Sequence, residues 1–156
     1  MRSRTHALPD EDDGFTLIEL LVVMIIIGIL AAIAIPTFLN QRTNGYNAGV
    51  KTDLSNIALN VESSAVDAGG SYVTLVNGAV DTQIAVTNGI TTAGLNAISY
   101  TPTAGVKLYV GAAGSTTGFC LYGNNTKGGS FWVFSRAKGG LDNTPYVDAA
   151  AAKAAC

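Results

Sequence analysis

The hydrophobic residues form one long run near the start of the chain. Across residues 15–35 every position is apolar except Thr16, Glu19 and Gly28. A helix rises about 1.5 Å per residue, so a helix over this run is roughly 30 Å long, close to the thickness of a bilayer core. A single segment in lipid satisfies its backbone only as a helix. The run therefore predicts a membrane-spanning helix.

Helical periodicity continues beyond this run. Apolar residues recur at spacings of three and four, with polar residues on the other faces, at Val50, Leu54, Ile57, Ala58, Val61 and Ala65. Pro36 removes one helix hydrogen bond, but the continued pattern favours a kink over a stop. The glycine pair at 69–70 provides a natural end. We therefore expect one helix over about residues 15–67, softened at Gly28, Pro36 and residues 45–49.

After this helix the apolar period changes to two, which is typical of half-buried strands. Glycine, asparagine and proline turn signals separate short predicted strands at 71–76, 83–87, 97–101, 106–111, 119–122 and 130–135. A short polar link joins the last two strands and predicts an antiparallel hairpin. Residues 136–156 show no regular pattern, although their alanine-rich end allows a last helical turn.

The expected fold is α+β, with a long N-terminal helix and an antiparallel sheet packed on the second half of that helix. We divide the chain into a leader (1–14), a hydrophobic helix (15–36), its amphipathic continuation (37–68) and a globular β-sheet head (69–156). No sheet residues remain to cover the hydrophobic half, so it must lie in lipid or pack against other copies. The alternative is a secretory signal peptide, but residues 31–34 form only a weak cleavage site, which favours retention of the helix.

Charged residues are scarce, at 13% of the chain against about 25% in an average soluble domain. The deficit is concentrated in the apolar run. Residues 1–14 hold two basic and four acidic side chains, so a chain that begins at Phe15 carries seven of each sign. Neutral subunits pack side by side without long-range repulsion, and this balance gives no indication of a nucleic-acid partner.

The sequence offers no recognisable catalytic or metal-binding constellation. His6 is the only histidine and lies in the leader, so the head lacks a histidine-based site. The acidic residues show no ligand or acid–base spacing and are expected on solvated faces: Asp53, Glu62, Asp67, Asp81, Asp142 and Asp148. The alternative is a calcium site at 142–143 with Asp148, although these oxygens follow no recognisable loop pattern. We therefore expect no enzyme, no metal and no cofactor.

The two cysteines are Cys120 and Cys156. Their pairing would close a loop of about 37 residues and contribute about 3–4 kcal/mol in the loop-entropy model. It requires an oxidising compartment outside the cytosol, which the membrane-spanning run also implies. The alternative is a pair of free thiols, one buried and one frayed.

Glu19 is the most informative single residue. A carboxylate in a membrane helix costs a few kcal/mol when unpaired, although the positive end of the helix dipole favours it near the helix start. Residues 15–35 contain no lysine or arginine. Cleavage between Gly14 and Phe15 would create a positive partner, the new α-amine. The alternative is a glutamate that reaches the lipid headgroups.

Residues 14–36 closely resemble the class III signal of type IV pilins. The shared features are glycine before the cut, an aromatic residue after it, glutamate at the fifth place and proline at the end of the apolar run. The resemblance implies that a prepilin peptidase cuts between Gly14 and Phe15 and then N-methylates Phe15. It also implies that Glu19 pairs with the Phe15 amine, on its own chain or on a neighbouring subunit.

The resemblance also implies a function for the rest of the chain. The helix would loosen between Gly28 and Pro36 in a filament, and Cys120 and Cys156 would bound the family's variable C-terminal region. The chain would be a structural subunit, and we expect the major one, of type IV pili that serve motility, adhesion or DNA uptake. Alternatives are a minor pilin, a pseudopilin of a secretion or competence system, and a monomeric membrane-anchored binding domain.

Partners and location follow from the same resemblance. The expected partners are the prepilin peptidase, the assembly platform with its ATPase, the membrane and further copies of the chain. The precursor is expected in the cytoplasmic membrane as a single-pass protein with its head outside, and the assembled subunit in an extracellular pilus.

Overall fold

The computed structural model describes residues 14–76, 83–87, 90–93, 95, 98–112 and 114–156. Residues 1–13 with His6, Asp81, and the turns expected at 77–78 and 88–89 lie outside the described residues. The chain divides into two compact units, Met1–Leu39 and Asn40–Cys156.

Two helices, six strands and one short 3-10 turn form the described structure. In chain order they are α1 (Leu17–Asp67), β1 (Ala85–Thr87), β2 (Ile90–Ala93), β3 (Val106–Ala112), β4 (Cys120–Asn125), β5 (Phe131–Ser135), the turn Arg136–Lys138, β6 (Gly140–Tyr146) and α2 (Ala149–Ala154).

In the first unit, α1 continues without interruption through Pro36, as the sequence predicts. Pro36 has no N–H for the carbonyl four residues before it, and the Thr37 hydroxyl donates to the nearby Ala34 carbonyl at 2.8 Å. The most apolar stretch of 18 residues has a mean hydropathy of 3.0, and none of it is buried within the chain. By length and composition, α1 is able to cross a membrane.

In the second unit, α1 buries one face against the sheet. The spacing-based prediction of the apolar residues on this face is confirmed: Val50, Leu54, Ile57, Ala58, Val61 and Ala65 are buried. They share one core with Leu108, Val110, Leu121 and Trp132 of the sheet. Burial of each large aliphatic side chain contributes about 1.5–3 kcal/mol, so this contact holds the helix and the sheet together.

The sheet that covers α1 has four antiparallel strands in the order β3-β4-β5-β6. Strands β4 and β5 form the predicted hairpin, with Leu121 opposite Phe134. The α+β architecture is therefore confirmed. Strand β4 extends beyond the predicted 119–122, through Asn125, and the connection to β5 is correspondingly short.

Two predicted strands are wrong. Residues 71–76 form turns, in which the Tyr72 carbonyl accepts hydrogen bonds from the N–H groups of Leu75 and Val76. Of the strand predicted at 97–101, the described residues 98–101 hold only a bridge residue at Ser99, and the Tyr100 hydroxyl donates to Asp53 of α1. Alternating polarity over a few residues describes a turn or an irregular segment as well as it describes a strand.

Strand β1 is shorter than the predicted 83–87 and pairs with the unpredicted β2 in a separate two-stranded sheet. The sequence also gave no indication of β6. Its Pro145 argues against a central strand, but β6 lies at the sheet edge, where a missing N–H is tolerated. Positive φ angles at Gly139 and Gly140 allow the turn that enters β6.

The alanine-rich C-terminal segment forms α2, which confirms the expected last helical turn. The Asp148 carboxylate accepts a hydrogen bond from the Ala151 N–H at 2.7 Å and caps the helix. Helix α2 packs on the sheet face opposite α1, where Ala152 joins Tyr122 and Val133 in a second, smaller core.

Candidate functional site

The helix start brings together Thr16 and Glu19. The Thr16 N–H donates to Glu19 Oε2 at 2.9 Å, and the Thr16 hydroxyl donates to the same oxygen at 2.7 Å. The Glu19 N–H in turn approaches the Thr16 hydroxyl oxygen at 3.3 Å. This reciprocal arrangement is a capping box, which satisfies backbone donors that a helix start otherwise leaves free. The Thr-x-x-Glu spacing carries that signal in the sequence, and the prediction based on charge alone missed it.

The capping box satisfies one oxygen of the Glu19 carboxylate within the chain. Both bonds from Thr16 end on Oε2, so within the described residues Oε1 stays open to another donor. Gly14 and Phe15 are exposed beside the box, and Phe15 keeps 82% of its surface exposed. The site is therefore a local carboxylate with one oxygen satisfied, next to an accessible peptide bond.

The apolar helix beyond this box is exposed along nearly its whole length, and only Ala31 is half-buried. Between Leu17 and Leu39 the large apolar side chains keep 46–88% of their surface exposed. An apolar surface of this extent marks a site of membrane or protein contact. A Cβ added at Gly28 meets no atom of the same chain within 4 Å, so packing within this chain does not require the glycine.

A disulfide joins Cys120 of β4 to Cys156, with the two Cα atoms 5.6 Å apart. It links Cys156 covalently to the sheet beside α2. Gly111 lies next to it, and a Cβ there would overlap the Cys156 sulfur. Glycine is thus required at this position because the sheet and the tail approach closely.

Asp53 departs from the sequence-based prediction, which placed it on a solvated face. It is buried, with 4% of its surface exposed. Its carboxylate accepts hydrogen bonds from the Tyr100 hydroxyl at 2.8 Å, the Thr103 N–H at 2.8 Å and the Thr103 hydroxyl at 3.0 Å. Burial, followed by the bond to Asp53, raises the pKa of the Tyr100 phenol. The residue fastens the loop before β3 to α1.

Glu62 forms a second link between α1 and the sheet. Its carboxylate accepts from Arg136 Nε at 2.8 Å and from the Tyr72 hydroxyl at 2.6 Å. The bond to Glu62 is the main cause that raises the pKa of the Tyr72 phenol. Because the Arg136 and Glu62 side chains are both exposed by more than a third, solvent screens the ion pair and its contribution to stability is small.

The two aspartates of the alternative calcium site accept local hydrogen bonds. Asp142 accepts from the Tyr146 hydroxyl at 2.6 Å and the Thr144 N–H at 2.8 Å, and the bond from Tyr146 is the main cause that lowers its pKa. Asp148 caps α2. Across the described part of the chain, no three His, Cys, Asp or Glu residues cluster as a metal site requires.

The start of the chain is similar to known proteins. A family described as "Prokaryotic N-terminal methylation motif" matches residues 12–35. Residues 12–35 therefore carry a prokaryotic N-terminal methylation motif. The chain is also similar to the type IV major pilin protein PilA of Myxococcus xanthus (strain DK1622), with 56% identity over 41 residues. A type IV major fimbrial protein, FimA of Dichelobacter nodosus, is 43% identical over 54 residues.

These likenesses to pilins are confined to part of each chain. The aligned region covers 26% of this chain and 19% of the Myxococcus protein, and 35% of both chains for the Dichelobacter protein. The methylation motif is therefore shown for residues 12–35, and the α+β fold of the described residues is pilin-like.

Proposed function

We propose that this chain is a structural subunit, the major pilin, of type IV pili. The observation that carries the proposal is the long, exposed apolar helix, combined with the N-terminal methylation motif over residues 12–35. Such a helix is stable in lipid or among copies of itself. A filament with these helices at its centre and the heads outside provides the second environment.

The uncut chain is suited to storage in a membrane. As a single-pass precursor in the cytoplasmic membrane, with its head outside, it exchanges lipid neighbours for sister helices when an assembly platform and its ATPase extract it. The helices then remain in apolar surroundings throughout. The Cys120–Cys156 disulfide supports an external head, because disulfides persist in oxidising compartments.

Processing completes the site at the helix start. A prepilin peptidase cuts between the exposed residues Gly14 and Phe15 and N-methylates Phe15. The new amine meets Oε1 of Glu19, the carboxylate oxygen that Thr16 leaves open. The partner is the amine of the same chain or of a neighbouring subunit, and the pairing guides each subunit into register. Gly28 and Pro36 are the positions at which the helix loosens as it packs in the filament.

The N-terminal residue of surface filaments tests this proposal. Filaments sheared from cells and analysed by mass spectrometry should yield a chain that begins at N-methylated Phe15. A filament subunit that begins at Met1, or cells whose only product is an unassembled, uncut monomer, would overturn the proposal. Short filaments confined to the cell envelope would instead indicate a pseudopilin.

A further inference from the structure

Two cations flank one tyrosine near the start of the second unit. The Arg42 guanidinium carbon lies 5.7 Å from the centre of the Tyr46 ring, and Lys127 Nζ lies 5.9 Å from it. Arg42 Nη2 also donates to the Tyr46 hydroxyl at 2.9 Å. Both cationic side chains are exposed to solvent. We name Arg42, Tyr46 and Lys127 the basic patch.

Parts of the fold distant in sequence build this patch. Arg42 and Tyr46 are one turn apart on α1, whereas Lys127 belongs to the turn between β4 and β5. The Lys127 N–H donates to Asn125 Oδ1 at 2.9 Å, which fixes that turn. The turn lies close to α1, since a Cβ at Gly128 would overlap the Asn47 side chain. The fold therefore holds the two charges together.

The patch carries no compensating negative charge. Within the described ranges of the chain, no carboxylate lies within 4 Å of Arg42 or Lys127, and the ion pair given by the structure joins Arg136 to Glu62. Asp53, on the same helix, is buried and already accepts three hydrogen bonds. Neighbouring cations without a counter-charge attract an anion from outside the molecule.

The position of the patch in the chain indicates the kind of anion. Arg42 is the first basic residue after the apolar run that ends at Ile35. Seven residues of helix correspond to about 10 Å, and the polar zone of a bilayer extends roughly 5–8 Å beyond its core on each side. A long arginine side chain covers the difference, because cationic heads reach toward the interface. Tyrosine beside basic residues is typical of headgroup depth.

We propose that the basic patch binds the phosphates of anionic lipids in the outer leaflet while the pilin is membrane-anchored. The contact holds the head against the bilayer before assembly and is released when the subunit leaves the membrane. This inference rests on the proposed function, because it requires the apolar helix to lie in lipid. Each cation is expected to change the ratio of docked to free heads about fivefold.

Energy transfer from the single tryptophan measures this contact. Trp132 lies in the head, and a dansyl group on lipid headgroups accepts its emission. The full chain is placed in nanodiscs of phosphatidylcholine, with or without phosphatidylglycerol. Transfer should rise with phosphatidylglycerol and fall again with added salt, which screens exposed charges.

Matched variants locate the effect. Arg42→Gln with Lys127→Gln should reduce the docked-to-free ratio about 25-fold, as expected for two cations near a charged surface. Lys138→Gln with Lys153→Gln removes the same charge from the other end of the described chain and should keep the response. Circular dichroism checks that both double variants fold.

Several results would overturn the basic patch proposal. They are equal transfer in both lipids, an equal loss in the control double variant, and an unchanged lipid response in a patch variant that no longer forms filaments. The last result would assign the patch to a neighbouring subunit. Failure of the chain to insert even into neutral nanodiscs would instead refute the membrane anchor, and with it both proposals.

Discussion

At the residue scale, charge pairing explains how a hydrophobic helix tolerates an acid. Thr16 satisfies one oxygen of Glu19 within the chain. In the proposed function, the amine released at Phe15 by cleavage satisfies the other. The isolated carboxylate was visible in the sequence because it stands in an apolar run. The role of Thr16 follows from a four-residue capping signal that polarity alone does not reveal.

Replacement of Glu19 separates processing from assembly. In Glu19→Ala the precursor should still be cut and accumulate in membranes, but filaments should be scarce because the Phe15 amine lacks its partner. Immunoblots of membrane and sheared fractions measure both quantities. Asp67→Ala, which removes an exposed carboxylate from the same helix, should assemble normally. Normal piliation in Glu19→Ala would remove the charge-pairing argument.

Asp53 provides a second prediction at this scale. Asp53→Asn replaces one of the two carboxylate oxygens with an NH2 group. The remaining amide oxygen cannot replace both original oxygens, one of which accepts from the Tyr100 hydroxyl and the other from the Thr103 N–H. The head should lose about 2–3 kcal/mol of stability, because a buried donor is left unsatisfied. Thermal unfolding of the full chain in detergent checks this loss. The exposed change Asp67→Asn is the control, and equal melting temperatures for the two variants would contradict the buried role.

The raised pKa of Tyr100 makes the stability of the head fall at alkaline pH. Its pKa is raised in the folded state, so the folded protein holds the phenol proton more tightly than the unfolded chain does. The associated stability is complete below a pH of about 10, the ordinary tyrosine value, and is lost as the pH rises above it. Tyr100→Phe should flatten this decline in urea unfolding measured across that range. An unchanged slope would show that other groups cause it.

At the element scale, the periodicity of apolar residues predicted the helix and a large part of the sheet. The buried face of α1 and the strands β3 and β5 were predictable because their apolar residues repeat at the helical or strand period. Strand β6 was not, because Pro145 is compatible only with an edge, and edge position is a property of the whole sheet. The burial of Asp53 depends on a loop fifty residues away and has no local signal.

We expect the disulfide to stabilise the head. Cys120→Ser with Cys156→Ser should lower the stability of the head by about 3–4 kcal/mol, because the unfolded chain regains the entropy of an open loop. Urea unfolding with and without a reductant measures the loss. Reduction of the wild type should reproduce it, and reduction of the double variant should have no further effect. A wild-type protein whose free energy of unfolding is the same with and without the reductant would contradict this prediction.

At the scale of the whole molecule, the two compact units differ in how far their apolar residues are buried. The head buries its own apolar residues in two cores, whereas the large apolar residues before Leu39 remain uncovered. A lone subunit therefore buries the apolar residues of its head but leaves those of its N-terminal helix exposed. In the proposed function, lipid covers this helix before assembly and other subunits cover it afterwards, so the same surface serves both states.

Electron cryomicroscopy of filaments sheared from cells tests this central claim most directly. The account predicts a filament whose centre is a bundle of the helices from Leu17 to Leu39, each chain starting at Phe15, with the heads outside. A filament held together by its heads, with those helices absent or facing solvent, would contradict it.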